Sequence, residues 1–294
     1  MLPRFLDTLQ SPQTRRAYAA DLRAFSQWLS DNGYSVEELR PKQLAAYRQA
    51  LQQGYAPATV NRRLSAARAF LTWAVAEELL SGDVLAALAV RGVKVPLVLP
   101  QLLSPEEFEG MCCACDTTTV AGARNLALLL VLRATGGRVS EVVGLCIENV
   151  QFPRHADEAG KATVMGKGGD ERLVYFDHQT AGALRHYLAL RGFPKTGRLF
   201  ELSDQRVRQL VTELGAVVGR PDVHPHLFRH QLLTELLDDP NGGDIDAVRR
   251  IAGHKRCETT QRYTAQATAR LEGLYLRRRG EKPATRPAAV SVPV

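Results

Sequence analysis

Apolar positions recur at helical spacing through the first ninety residues. In "SPQTRRAYAADLRAFSQWL", Tyr18, Leu22, Phe25 and Leu29 fall on one stripe, with Arg15 and Arg16 early in the segment. "TVNRRLSAARAFLTWAVAEELL" repeats the arrangement: Leu64, Ala67, Phe70, Leu71 and Ala74 form an apolar face, and Asn61, Arg62, Ser65 and Arg68 lie opposite. "DNGYS", "GYAPAT" and "LSGD" interrupt the period, so residues 1–91 read as several short helices. The prolines of "GVKVPLVLPQLLSPEEF" then break any pattern, and residues 92–103 read as a linker. A new helix opens behind it, capped at Ser104 with Pro105 and Glu107 following.

Residues 104–276 read as a second domain. It opens with a strongly apolar helix over roughly 121–134, closed by Gly136 and Gly137, after which Arg138 begins the next helix. The one convincing β segment is "KATVMGKGGDERLVYF", two β-prone runs around a glycine-rich turn. Helices follow. Pro225 suits the first turn of one, and Ile245, Val248, Ile251 and Ala252 keep helical spacing in another that ends at Gly253. Residues 277–294, basic and then rich in proline and alanine, read as a disordered tail. The pattern predicts a mainly α protein with a small β-hairpin, in two domains.

A length of 294 residues and a composition nearly half hydrophobic agree with that picture. The most apolar run, "LALLLVL" at 126–132, is too short to span a bilayer, and the N-terminus lacks a signal peptide's apolar stretch. The five cysteines point to reduced thiols and a cytoplasmic setting. "CCAC" at 112–115 has no second pair at zinc-ligand spacing, so these read as buried or bystander thiols. A formal charge of +7 fits a polyanionic partner without requiring one. Arg15, Arg16, Asn61, Arg62, Arg63 and Arg68 are the candidate contacts to nucleic acid, although solvated helix faces would look the same.

Several stretches carry candidate chemistry. In "TGGRVSEVVGL", Arg138 and Glu141 stand three apart, so the carboxylate can hold the guanidinium at a helix N-terminus, a seat for an oxyanion. Lys167 in "GKGGDER" sits at the tip of the predicted hairpin, where it could reach into a groove or donate a proton. In "HPHLFRHQLLTEL", His226 and Arg229 share a face and pair a proton-transfer group with a fixed cation. His226 and His230 also have HxxxH spacing, but the HExxH glutamate is missing and no third ligand is evident, so no metal is expected. In "AGHKRCETTQRYT", His254 precedes Tyr263 by nine residues. Taken one at a time, these residues fit a surface role as well as a chemical one.

Taken in order, the stretches resemble the tyrosine recombinases, the family of site-specific DNA recombinases and integrases. "TGGRVSEVVGL" is similar to the first arginine box, "GKGGDER" to the hairpin lysine, "HLFRH" to the HxxR box, "AGH" to the histidine box and "TTQRYT" to the nucleophile box. The resemblance implies a catalytic set of Arg138, Lys167, His226, Arg229, His254 and Tyr263, with Glu141 in support. It spans 104–276, and more loosely the N-terminal helices, which look like a core-binding domain.

The implied fold is a two-domain DNA clamp. The implied reaction cuts and rejoins DNA through a 3′-phosphotyrosine and a Holliday junction, with no cofactor and no metal. The implied partner is a double-stranded recombination site, bound by a dimer and synapsed as a homo-tetramer near the nucleoid. Tyr275, in apolar "LEGLYL", reads as a packing residue, in a segment that docks either on its own domain or on a neighbouring protomer. With the N-terminus so close to the core-binding helices, a Xer-like resolvase or compact mobile-element integrase is expected. A type IB topoisomerase-like enzyme and a non-catalytic DNA-binding protein are the alternatives.

Overall fold

The computed structural model describes residues 1–96, 100–166, 171–238 and Val248. The chain divides into two compact units, Met1–Val98 and Leu99–Val294. Lys167, His254, Tyr263, Tyr275 and the 277–294 tail lie outside the described residues.

In the first unit the helices are α1 (Leu2–Asp7), α2 (Pro12–Asp31), α3 (Pro41–Gly54) and α4 (Pro57–Ala76), followed by a 3₁₀ helix over Gly82–Ala89. Each α-helix carries a proline in its first turn, where the missing N–H would have had no helical partner. Leu22, Phe25 and Leu29 of α2 are buried with Leu64, Ala67, Phe70, Leu71 and Ala74 of α4, as their spacing predicts. Phe5 of α1 packs edge-on against Phe70, with ring centroids 5.7 Å apart. The helices are longer than the expected short segments: α2 and α4 each run 20 residues. Neither holds an internal proline or glycine, and "GYAPAT" separates α3 from α4 by only Tyr55 and Ala56.

The second unit is assembled around α6 (Val120–Thr135), preceded by α5 (Pro105–Cys113). Ser104 and Glu107 form a reciprocal cap on α5, as the sequence predicts. Ala127, Leu128, Leu129, Leu130, Val131 and Leu132 are all buried in succession, so α6 is enclosed on every side. A helix apolar all round has no solvent face to stripe, and this explains "LALLLVL" without a membrane. No helix among the described residues is long and apolar enough to cross a bilayer.

After α6 come α7 (Val139–Val143), a 3₁₀ turn over Ile147–Asn149, β1 (Val150–Gln151), β2 (Gly160–Met165) and β3 (Glu171–Phe176). The strands form an antiparallel sheet in the order β1-β2-β3, with Ala162 opposite Val174 and Val164 opposite Arg172. Ala162, Val164, Val174 and Phe176 face the core. The two-residue β1 was not foreseen, being too short to show a period of two. Helices α8 (His178–Leu190), α9 (Asp204–Val217) and α10 (Pro225–Asp238) complete the unit, and α8 and α10 both pack on α6. Val248, the one described residue of the 245–252 helical pattern, is buried against Leu233 and Leu237.

Candidate active site

The site grows from the turn that ends α6. Gly136 caps that helix in the left-handed region, φ 54°, which suits glycine because it has no Cβ to clash. A Cβ there would also stand 2.9 Å from Leu232 Cδ2 and 3.5 Å from Arg229 Cα, so α10 approaches closely because this residue is glycine. The same turn supplies the anchor for Arg229, whose Nη1 donates to the Gly136 carbonyl oxygen at 2.9 Å. Arg229 is only 2 % exposed, so its charge is held in place and largely shielded from water.

Arg138 is the N-cap of α7, and Glu141 sits three residues on at 3 % exposure. Glu141 Oε2 accepts the Arg138 backbone N–H at 2.8 Å, and Oε1 accepts Arg138 Nη1 at 2.7 Å. The Arg138 side chain nonetheless remains 37 % exposed, which fits a group that is fixed at one edge and meets a ligand at another. Glu141 takes a second cation, Arg172 of β3, at 2.6 Å. Burial alone would push the Glu141 carboxyl up. The Arg138 N–H and the two guanidiniums outweigh that effect and hold it below the usual carboxylate range.

His226 stands in the first turn of α10, three residues before Arg229. Partial enclosure, followed by the neighbouring His230, Arg229, His224 and Arg138, pushes its pKa down to about 4. The Arg229 and Arg138 guanidiniums beside the ring disfavour a further positive charge on it. His226 and His230 pack edge-on, centroids 5.0 Å apart. Upstream, the His224 Nδ1 accepts the Leu227 N–H at 3.0 Å and satisfies a donor of the first turn. Among the described residues no group of three His, Cys, Asp or Glu side chains is arranged to hold a metal ion. Burial pushes the Cys112 and Cys115 thiols up to about 12 and about 11, which makes them poor nucleophiles and poor ligands.

The structure thus brings Arg138, Glu141, His226 and Arg229 of the expected set together. It adds Arg172, which sequence reasoning missed. A signal was present: Arg172 shares its inward parity on β3 with buried Val174 and Phe176, and a charge at an inward position asks for a buried partner. Glu141 was expected to hold Arg138 and to support the catalytic set. Its second cation is Arg172, and Arg229 is held by a backbone carbonyl of the α6 turn.

In the first unit the expected contact residues have several different surroundings. Asn61 donates to the Val93 carbonyl at 2.9 Å and accepts the Val93 N–H at 2.8 Å, and Arg68 donates to the Val90 carbonyl. These side chains hold the 90–93 segment on α4 rather than lining a solvated face. Arg62 and Arg63 pair with the buried Asp21, and Arg63 stacks on the Tyr55 ring at 3.9 Å. Arg15 lies near Asp7, and Arg16 is exposed.

Comparison with known proteins identifies the chain. Residues 101–270 match the phage integrase family, and residues 2–78 match the phage integrase N-terminal SAM-like domain. Tyrosine recombinase XerD of Ralstonia nicotianae is 32 % identical, across 93 % of this chain and 92 % of its own. Tyrosine recombinase XerC of Mycobacterium bovis is 33 % identical, across 91 % and 93 %. Among solved structures, the XerH recombinase bound to a palindromic difH substrate shares the fold at TM-score 0.75 and 22 % identity, covering 89 % of this chain and 79 % of that one. A lambda integrase dimer on a core site shares it at TM-score 0.65 and 16 % identity, covering 89 % and 75 %.

The class is therefore that of enzymes that break and rejoin DNA by site-specific recombination. Within it, the chain belongs to the phage integrase family, the tyrosine recombinases, and its relatives are of the Xer type.

Proposed function

We propose that this recombinase cuts DNA by attack of the Tyr263 hydroxyl on a phosphodiester. The product is a 3′-phosphotyrosine and a free 5′ hydroxyl. The observation that carries the reading is that Arg138 and Arg229 are both anchored within the Gly136–Glu141 turn, one by the Glu141 carboxylate and one by the Gly136 carbonyl. Guanidiniums fixed in this way suit the non-bridging oxygens of a pentavalent phosphorane, where negative charge develops.

A phenol with a pKa of about 10 needs help to attack at neutral pH. His226, neutral at pH 7, accepts its proton, and a bound phosphate raises the basicity of the ring by offsetting the surrounding cations. Lys167 protonates the departing 5′ oxygen, and His254 donates to a phosphate oxygen. Because the phosphotyrosine keeps the bond energy, rejoining is the reverse of cutting and needs no ATP, other cofactor or metal.

Arg16, Arg62 and Arg63 of the first unit contact the DNA backbone, with Arg15 beside them. Arg62 and Arg63 are oriented by Asp21, while Asn61 and Arg68 act indirectly by holding the 90–93 segment. A dimer occupies one site, and two dimers exchange strands in pairs through a Holliday junction as a tetramer in the cytoplasm.

The test is covalent capture. A library of nicked duplexes with random cores is incubated with the full chain in EDTA, and the DNA that becomes protein-linked is sequenced. Wild type should enrich one core, and Tyr263→Phe should bind that core without linking to it. No linkage by wild type to any core, or linkage that survives in Tyr263→Phe, would sink the proposal.

A further inference from the structure

We propose that Arg172 is a positioning residue for DNA cleavage, setting the stance of the Arg138 guanidinium through the buried carboxylate they share. The inference rests on the reading of Arg138 given above and concerns a residue outside the expected catalytic set.

The arrangement is a chain of cation, anion and cation. The Glu141 side chain is 2 % exposed, so water does not neutralise its charge, and its oxygens are divided between two arginines. Oε1 takes Arg138 Nη1 at 2.7 Å, while Oε2 takes the Arg138 backbone N–H at 2.8 Å and Arg172 Nη2 at 2.6 Å. Arg172, at 14 % side-chain exposure, faces inward from β3. Its position is fixed by the strand register, with Arg172 opposite Val164 and buried Val174 opposite buried Ala162.

Two consequences follow from electrostatics at a shielded site. With Arg172 present, Oε2 is occupied, and Glu141 grips the Arg138 guanidinium through Oε1 alone, with the Arg138 side chain 37 % exposed. Without Arg172, the carboxylate has one cation left. It then draws Arg138 into a two-toothed pairing that turns the guanidinium inward, or it takes up a proton and holds Arg138 less firmly. Either outcome misplaces a group whose value depends on preorganisation. Arg172 therefore acts at a distance from the scissile phosphate, by keeping Glu141 charged and shared.

The test uses the full chain on the nicked duplex enriched by covalent capture, with either oxygen or sulfur at the 5′-bridging position of the scissile phosphate. Sulfur leaves without a proton, so it repairs defects in leaving-group protonation only. Arg172→Met should slow single-turnover cleavage about 10–100-fold, the range typical when an outer-shell partner is removed from a metal site. The loss should be the same with oxygen and sulfur. Lys167→Ala, by contrast, should be restored by sulfur, and Arg172→Lys should recover part of the rate.

Adding Glu141→Gln to Arg172→Met should slow cleavage little further, because the two residues act as one unit. This double variant also removes the buried charge and guards against a folding failure of the single one. A wild-type rate in Arg172→Met, repair of its loss by sulfur, or independent multiplication of the two losses would overturn the proposal. If wild type forms no adduct, the recombination chemistry is misassigned. The Arg172 claim is then decided without DNA, by the carboxyl resonance of Glu141 in labelled protein. Its titration should move to higher pH in Arg172→Met, and an unchanged titration would refute the link.

Discussion

Gly136→Ala should damage the enzyme more than it damages the fold. The residue is left-handed at φ 54°, a region that costs an L-residue roughly 1–2 kcal/mol. The new methyl would stand 2.9 Å from Leu232 Cδ2, the movable end of a leucine, and 3.5 Å from Arg229 Cα. Rotation of the leucine relieves the first contact, so backbone strain dominates and the expected destabilisation stays near about 1–2 kcal/mol. For a unit of this size that lowers the melting temperature by about 2–8 °C, at about 2–4 °C per kcal/mol.

The catalytic effect has a different origin. The carbonyl that holds Arg229 belongs to the altered residue, at 2.9 Å, so any shift of the turn or of α10 is transmitted to a buried guanidinium. Displacing one preorganised donor costs up to about 2.7–4 kcal/mol of barrier, or 10²–10³ in rate. The assay pairs a thermal melt with single-turnover cleavage of the captured duplex, each repeated in a Leu232→Ala background. In that background the melting penalty should shrink only slightly while the cleavage defect persists. Loss of stability with cleavage at the wild-type rate would show that the Gly136 carbonyl does not position Arg229.

Arg138→Ala and Arg229→Ala should each lower cleavage by roughly 10²–10³ while changing the affinity for intact duplex far less, because the clamp acts on charge that develops in the transition state. Equal losses in binding and cleavage would place these arginines in ground-state recognition. For His226, a folded pKa of about 4 against an unfolded value near 6.5 means that the unfolded chain takes up the proton first as pH falls. Its contribution to stability is therefore complete above about 6.5 and is lost between there and about 4. His226→Gln should accordingly lose less melting temperature than wild type between pH 7 and 5, and parallel melting curves would contradict the assignment. In the first unit, Gly92→Ala drives a methyl into Asn61 Oδ1 and should break the two Asn61 bonds to Val93. The cost is about 1–3 kcal/mol by urea denaturation, and Asn61→Ala should add little to it. Additive losses would separate the two residues.

What the sequence revealed was mostly local. The stripe Leu22–Phe25–Leu29, the Ser104 cap and the Arg138–Glu141 pair depend on residues three or four apart, where helix geometry alone decides who meets whom. The resemblance then supplied the class of enzyme, which the family match over 101–270 bears out. Features that depend on how distant segments meet stayed hidden. Arg172 reaches Glu141 across 31 residues, through a strand register that no periodicity encodes, and Asn61 meets Val93 across 32. Polar residues opposite an apolar stripe look alike in sequence whether they face water or bind the protein's own backbone. Asn61 and Arg68 were therefore grouped with Arg16, although only Arg16 among them lies on an exposed face.

The central claim is that Tyr263 carries the DNA strand, and peptide mapping of the trapped adduct tests it most directly. After cleavage of the captured nicked duplex, the complex is digested with nuclease and protease and the nucleotide-bearing peptide is sequenced by mass spectrometry. The account predicts a single modified peptide, with a 3′-linked nucleotide on the Tyr263 oxygen. A nucleotide on Tyr275 or any other residue, or one joined through its 5′ phosphate, would contradict it.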